Sequence, residues 1–359
     1  MTTRRRNLLI LAAALALATT GVLFFAPATR QRSAIEAIPD GAFLLVTVDL
    51  VRLRASPLAR ELTSLREVGD ITEECGFDPL ARAQSVAIGV PEKPDGVFGL
   101  AVTTDIPEKD LLRCAETVMA ARSATPRITK RGSWTELEQE GILTQTSRAK
   151  IAQRAGAPLL VARGDYLTTM QATLDGKSTP RNVAHEALRK GVLERTHGDA
   201  MLVVTAILPK SVRDKLRDED PTAEHAATMA AILSVNAVSV AVTSRGETLD
   251  VVGELDCETD AACATVRDFI DRKRKEIASE PAARFIGIGA VLDGLRLEAR
   301  GAVLDVSLSA AESEIARAAR VLWSSAFSPP TPHVQGSASI KPDETLGGRD
   351  GGPGFSRGR

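Results

Sequence analysis

Aromatic residues are scarce in this chain of 359 residues, where Phe, Trp and Tyr together make up only 3%. Tyr166 is the single tyrosine, and Trp134 and Trp323 are the two tryptophans. Surfaces that hold sugars or peptides by stacking depend on aromatic rings, so this scarcity argues against such a surface. The formal net charge is -1 and charges of both signs are interspersed, so there is no basic excess to indicate a nucleic-acid partner.

Sequence motifs of known enzyme classes are also missing. The chain has no P-loop, no nucleophile-elbow serine and no zinc-protease helix motif. No spacing of Cys or His matches a zinc site. Gly287, Gly289 and Gly294 resemble part of a dinucleotide-binding loop, but the third glycine comes too late. The sequence therefore predicts no cofactor and no metal, and it leaves the catalytic residues, if there are any, unknown.

Several polar residues could work in a site but have ordinary structural explanations. The four histidines are His185, His197, His225 and His333. They fall in helical, linker or tail contexts, where solvated or locally hydrogen-bonded histidines are expected. Asp49 and Asp105 each end a predicted strand, a position that favours Asp as a turn or cap former. The acidic run 218–220 and the basic run 272–275 are typical of solvated loops and helix ends.

The first 32 residues have the pattern of an export segment. Arginines at positions 4–6 precede an uncharged run from Leu8 to Ala28, and such charges stay on the cytoplasmic side of the membrane. The stretch from Leu8 to Phe25 would be about 27 Å long as a helix, which favours a retained transmembrane anchor. In the alternative, Ala26-Pro27-Ala28 directs signal cleavage before Thr29.

The export pattern predicts a location. We expect a single-pass protein of the bacterial inner membrane with its bulk in the periplasm. The alternative is a soluble exported protein after signal cleavage.

The chain has four cysteines, an even number that suggests pairing in an oxidising compartment. Three pairings are possible in principle, and four free thiols are the alternative. We favour Cys75 with Cys114 and Cys257 with Cys263, because each bridge closes a loop inside one predicted unit. Cys257 ends a predicted strand and Cys263 lies in the first turn of the next helix, which could bring their α-carbons within reach of a bridge.

An internal duplication is the strongest pattern along the chain. The predicted apolar strand at Ala42 to Leu50 resembles a second predicted strand at Asp199 to Leu208. Predicted hairpins follow at 85–104 and at 239–255, and each leads into an amphipathic helix with apolar positions in the same phase. The spacing between equivalent segments decreases steadily along the chain, as expected if the first copy has longer loops.

The pattern continues into a third pair of segments. Gly156 to Val161 followed by a helix from Asp165 resembles Gly301 to Val306 followed by a helix from Ser309. Ser309 and Glu312 fit a capping box for the later helix.

The elements predict an α+β fold of two similar strand-helix-hairpin-helix modules with mainly antiparallel sheets. The domain boundaries are 1–32 for the anchor or signal segment, 33–178 for the first module and 179–323 for the second. Residues 324–359 form a tail rich in Gly and Pro, with few apolar residues, which predicts disorder.

The sequence supports a functional hypothesis at the level of class only. We expect an envelope protein whose extracytoplasmic domain binds or scaffolds, with a groove between the two modules as the place for a ligand or an envelope protein partner. The alternative is an exported hydrolase whose site is assembled from distant loop residues. A third possibility is an assembly subunit that associates through an exposed sheet edge. The oligomeric state is unknown.

Overall fold

The computed structural model describes residues 32–59, 66–92, 97–140, 149–178, 183–211, 213–214, 229–231, 233–285 and 287–317. The predicted export segment up to residue 31 and the predicted tail lie outside these ranges, as do His225, His333 and the acidic run 218–220. Among the described residues, no helix combines the length and the apolar character that a membrane span requires.

The fold consists of helices and one large antiparallel sheet. The strands are β1 (Ala42–Asp49), β2 (Ala83–Pro91), β3 (Gly99–Thr104), β4 (Thr125–Arg131), β5 (Trp134–Glu140), β6 (Ala149–Gln153), β7 (Leu159–Arg163), β8 (Leu202–Ile207), β9 (Val235–Arg245), β10 (Thr248–Cys257), β11 (Arg296–Arg300) and β12 (Val303–Ala311). The α-helices are α1 (Leu50–Ala55), α2 (Arg66–Cys75), α3 (Pro79–Arg82), α4 (Glu108–Ala121), α5 (Tyr166–Leu174), α6 (Val183–Arg195), α7 (Asp260–Ser279), α8 (Pro281–Phe285) and α9 (Ile288–Asp293). A short 3₁₀ helix at Ala34–Ala37 precedes them.

The predicted α+β class is confirmed, but the strands form one continuous sheet instead of one sheet for each module. The order is β11-β12-β10-β9-β8-β1-β2-β3-β7-β6-β5-β4. The two halves of the chain join where β1 pairs antiparallel with β8, from Leu44 opposite Ala206 to Val48 opposite Leu202. Separate sheets would leave β1 and β8 as apolar edges with unpaired backbone groups, and the pairing satisfies both.

The strand order is mirrored on the two sides of the β1–β8 pair. Moving outward, β2, β3, β7 and β6 follow on one side, and β9, β10, β12 and β11 follow on the other. The first half then adds the hairpin β4–β5 at its edge, whereas the second half has α8 and α9 at the corresponding place in the chain. The proposed domain boundary at 178/179 therefore lies within a molecule that shares a single sheet.

One face of the sheet, which we call the helix-covered face, carries the 3₁₀ helix, α5 and α6. Its positions on the central strands are small: Ala87 and Ala101 lie side by side on β2 and β3, and Gly89 pairs with Gly99. Small residues let helices approach a sheet closely. The principal core cluster, which includes Leu160 and Met170, lies here.

Tyr166 shows how tight this packing is. A β-carbon built on Gly99 would lie 2.5 Å from Cε1 of Tyr166 and 2.5 Å from Sδ of Met170. One built on Gly89 would lie 2.5 Å from Cγ2 of Ile38 and 2.8 Å from the Tyr166 hydroxyl. A side chain would therefore clash with Tyr166 and Met170 at position 99, and with Ile38 and the Tyr166 hydroxyl at position 89. Burial raises the pKa of Tyr166.

The opposite face has large aliphatic residues at its centre, and we call this surface the aliphatic face. Its members on the middle strands are Val46, Val48, Val86, Ile88, Leu100, Val102, Val161, Leu202, Val204, Val240 and Val242. All are partly buried. Among the described helices, α4 packs over β4 and β5 at one end of this face, and α7 packs over β9 to β12 at the other.

The predicted start of the last helix at Ser309 is wrong. Strand β12 continues through Ala311, and Ser309 pairs with Asp250 of β10 instead of capping a helix. Helical residues begin at Glu312. The carboxylate of Glu312 is buried, where it accepts hydrogen bonds from the Leu58 N–H at 3.1 Å and from the Ser244 hydroxyl. Both residues of the predicted capping box therefore interact with residues far away in the chain instead of with each other.

Candidate functional site

A cavity lies on the helix-covered face, between the 3₁₀ helix and α6. Its volume is about 280 Å³, and its lining includes Ile35, Ile38, Leu45, His185 and Arg189. The cavity is beside β1, the strand that joins the two halves of the sheet. It thus lies next to the pairing of β1 with β8.

Helix α6 supplies one wall through residues four positions apart. His185, Arg189 and Leu193 follow each other at this spacing and therefore share one face of the helix. His185 and Arg189 line the cavity, and Arg189 and Leu193 line a wider groove of about 590 Å³ that runs along β1 and β2. Arg189 lines both spaces and therefore lies where they adjoin.

His185 connects α6 to the central strands β1 and β8 by hydrogen bonds. Its Nε2 lies 2.8 Å from the carbonyl oxygen of Ala42, and its Nδ1 lies 2.7 Å from the Thr205 hydroxyl. Because a carbonyl only accepts, Nε2 carries the proton in the neutral ring and Nδ1 accepts from Thr205. Burial lowers the pKa of His185, while the Ala42 carbonyl and the Asp40 charge oppose the shift. Both ring nitrogens already have hydrogen-bond partners within the protein, which disfavours a role as general base.

Arg189 brings a positive charge into the cavity. The guanidinium donates one hydrogen bond, from Nη1 to the Thr47 hydroxyl on β1. Within the described residues no carboxylate lies within ion-pair distance of it. Burial lowers the pKa of Arg189, and the charge of Glu186 opposes this shift. Arginine remains protonated in proteins, so the cavity contains a partly desolvated cation with N–H donors to spare.

Two acidic residues, Glu36 and Glu186, also line the cavity. Glu36 is exposed, and its Oε1 accepts from the Ser33 hydroxyl at 2.9 Å. Glu186 is also exposed and makes contacts of its own. Ser33, His185 and these carboxylates therefore do not form a nucleophile–base pair, since Ser33 donates to Glu36 while His185 bonds to the sheet.

Arg52 closes the far end of the groove. Its Nη1 donates to the carbonyl oxygens of Gly198 and Ala200, and its guanidinium lies 3.5 Å from Asp49 and 3.6 Å from Asp199. The charge of Arg52 is thus matched by neighbours, in contrast to that of Arg189.

Both disulfides join the cysteines that the sequence analysis paired. Cys75 at the end of α2 is bonded to Cys114 in α4, with α-carbons 4.5 Å apart. Cys257 at the end of β10 is bonded to Cys263 in the first turns of α7, with α-carbons 5.3 Å apart. The first bridge holds two helices together, and the second fixes the start of α7 against the sheet.

The other polar candidates have structural roles. The Asp49 carboxylate accepts from the Arg52 N–H and caps α1, and Asp105 accepts from Nε of Arg82 at 2.9 Å. His197 is an exposed residue with positive φ just after α6. In the basic run, Arg274 lies 2.7 Å from Asp271 and donates to carbonyl oxygens near the end of α9, which explains that residue without a ligand.

The glycines that resemble a nucleotide loop lie around α9. Gly287 precedes this short helix in a left-handed conformation, and Gly289 is buried against Arg284. No strand leads into this turn, because α8 comes before it. Within the described ranges, no group of three or more His, Cys, Asp or Glu residues could hold a metal ion.

The sequence analysis missed Arg189 and the cavity around it. The four-residue spacing of His185, Arg189 and Leu193 was available as a signal. What the spacing did not show is that this helix face packs beside β1, a strand more than 130 residues earlier.

Comparisons with known proteins identify no family. No protein-family model matches the chain, and no curated protein matches it. Crystal forms III and IV of TP0453 are each 12% identical in sequence, with TM-scores of 0.47 and 0.48. The aligned regions cover 79% and 82% of this chain and 96% and 99% of TP0453, respectively. Crystal form I is 10% identical, with a TM-score of 0.45, covering 81% of this chain and 98% of that one. We infer nothing about this chain's function from a similarity at this level.

Proposed function

We propose that this protein is an exported protein of the bacterial envelope whose α+β domain binds a small ligand in the cavity between the 3₁₀ helix and α6. The observation that carries the proposal is the cavity itself, in which aliphatic residues form one part of the lining and the partly desolvated cation Arg189 belongs to the polar part. Pockets of this kind, with few polar groups in an apolar wall, are typical of ligand sites. The engaged nitrogens of His185 favour binding over the alternative, an exported hydrolase.

The location and the repeat are parts of the same proposal. Two disulfides in one chain are expected of an oxidising compartment and support export. We propose that residues 1–32 are a retained single-pass anchor in the inner membrane, with cleavage before Thr29 as the alternative. We also propose that the mirrored strand order reflects an ancestral duplication, which places the cavity beside the joint between the two copies.

A small-molecule screen by ligand-observed NMR on the full-length chain tests the site. Ile35→Trp would fill the cavity from the 3₁₀ helix, and Ile128→Trp makes the same change on the exposed edge strand β4. We expect binding to be lost in Ile35→Trp and kept in Ile128→Trp, with equal urea midpoints showing that both variants fold. Ligands that bind Ile35→Trp as well as wild type would contradict the proposal, and turnover of a ligand would favour the hydrolase.

Intact-mass analysis of the protein from its own host, without reduction, tests the location. A full-length mass with two bridges supports the anchored form, and a mass that starts at Thr29 supports the cleaved form. Four free thiols on protein from the cytosolic fraction would refute export.

A second candidate function is the docking of an envelope protein on the aliphatic face. Val46 pairs with Val204, and Ile88 and Val240 continue the row on either side. Apolar patches of this extent commonly mark protein interfaces. The sheet edges are less suited to assembly, because β4 and β11 carry charged residues such as Arg127 and Glu298.

Photo-crosslinking in the host tests this docking. A photoreactive amino acid at Val204 is compared with one at the exposed Lys190 on the other face of the sheet. We expect one identified envelope protein to crosslink only from position 204, and its purified form to bind more weakly to Val46→Thr. Equal crosslinking from both positions would contradict specific docking.

A further inference from the structure

The guanidinium of Arg189 indicates what kind of ligand the cavity takes. It offers five N–H donors, and among the described residues it uses one of them, toward Thr47. A cation that leaves water without a counter-charge loses solvation that a single hydroxyl does not replace. The missing interaction is the one that a planar anion provides, because two parallel N–H···O bonds match the guanidinium fork.

The neighbouring acidic groups do not supply that interaction. Glu36 and Glu186 line the cavity and the charge of Glu186 acts on Arg189, but both carboxylates are exposed, so water screens their charges, and Oε1 of Glu36 accepts from Ser33. Neither carboxylate lies within ion-pair distance of the guanidinium, which leaves Arg189 able to pair with an anionic ligand.

The remaining lining describes the rest of the ligand. Ile35, Ile38, Pro39, Ala42 and Leu45 border the cavity and present aliphatic surface. A volume of about 280 Å³ lies just below the usual range for ligand sites, roughly 300–1,000 Å³. This suits a short aliphatic body and leaves no room for a nucleotide or an oligosaccharide.

We propose that the cavity binds small aliphatic carboxylates, with the carboxylate paired to Arg189 and the hydrocarbon packed against the 3₁₀ helix and β1. This inference rests on the proposed function and assigns the ligand class to the same cavity. Arg189 is then the residue that selects for charge, and the apolar wall sets the size of the hydrocarbon.

Calorimetry on the full-length chain with three matched probes tests the assignment. The probes are 4-methylpentanoate, the neutral 4-methylpentanamide and leucine, which adds an ammonium group to the same skeleton. We expect the carboxylate to bind about 10- to 100-fold more tightly than the amide, the range that a charge-assisted pair supplies. The same loss is expected for 4-methylpentanoate in Arg189→Gln, with a smaller loss in Arg189→Lys. The control Lys190→Gln removes the adjacent charge on the same helix and is expected to change affinity less than about threefold.

Failure of the proposed ligand class and failure of the proposed site give different results. Equal binding of carboxylate and amide, or tighter binding of leucine, would overturn the carboxylate assignment while leaving the cavity as a site. The carboxylate assignment would also be wrong if none of the three probes binds while other molecules bind wild type and not Ile35→Trp. The cavity would still be a binding site in that case. If no molecule from the screen binds the cavity, the proposed function fails as well. The probe comparison uses wild-type protein, so it remains decisive if Arg189→Gln does not fold.

Discussion

Replacement of Gly99 by alanine is the sharpest test of how the sheet and its helices pack. The added methyl group would lie 2.5 Å from a ring carbon of Tyr166 and 2.5 Å from Sδ of Met170. Both side chains are buried, so neither can swing into solvent. One of these side chains must shift, and because both belong to α5, this helix must shift against the sheet.

The magnitude follows from two opposing effects. Overpacking of a core costs about 1–3 kcal/mol, and contacts on two buried side chains point to the upper part of that range. Alanine also reduces the freedom of the unfolded chain, which returns about 0.5–1 kcal/mol. We therefore expect Gly99→Ala to lower the free energy of unfolding by about 2 kcal/mol.

Gly191→Ala is the matched control, because the same change in the middle of α6 meets nothing within 4 Å. There alanine should stabilise the helix by about 0.5–1 kcal/mol. The assay is urea unfolding of the full-length chain with disulfides intact, followed by circular dichroism. Opposite signs for the two variants support the packing argument.

A double variant identifies the ring as the cause. Gly99→Ala combined with Tyr166→Leu should be more stable than the sum of the single changes predicts, by about 1 kcal/mol or more. If Gly99→Ala is as stable as wild type, or if the two changes are simply additive, the assigned clash is wrong.

Two further predictions concern His185 and the disulfides. Burial lowers the pKa of His185 in the folded protein below its usual 6.5, so the unfolded chain binds the proton first as the pH falls. The free energy of unfolding should therefore fall between about pH 6.5 and the folded pKa, by at most about 1.4 kcal/mol per pH unit. This pH dependence should be weaker in His185→Gln, and an unchanged dependence would show that other groups cause it. The two disulfides should stabilise the fold by different amounts, because they close loops of different length. Loss of Cys75–Cys114, separated by 39 residues, should lower the free energy of unfolding by about 4 kcal/mol, and loss of Cys257–Cys263, separated by 6, by about 2 kcal/mol. Thermal unfolding of the two paired Cys→Ala variants measures both losses, and the reverse order would contradict the loop argument.

Much of the secondary structure follows from local pattern. The hairpin of β9 and β10 and the helix that follows it were predictable because alternating apolar residues, a Gly-containing turn and a helical period lie next to each other in the chain. The bridge between Cys257 and Cys263 follows for the same reason. The prediction failed at Ser309, where pairing with Asp250 extends β12 through a segment that local capping rules assign to a helix.

The sequence by itself determined the α+β class and the pairing of the cysteines, because each bridge closes a loop inside one predicted unit. It also determined the hairpin of β9 and β10 and the helix after it, because these elements follow each other directly in the chain. The pairing of β1 with β8, the position of α6 beside β1, and the donors left over on Arg189 were decided by the tertiary structure. These depend on groups more than 130 residues apart, whose contacts are set by competition among many similar apolar strands. A sequence of Val, Ile and Leu specifies that a strand will be buried, but not which strand lies beside it or which cation is left without an anion.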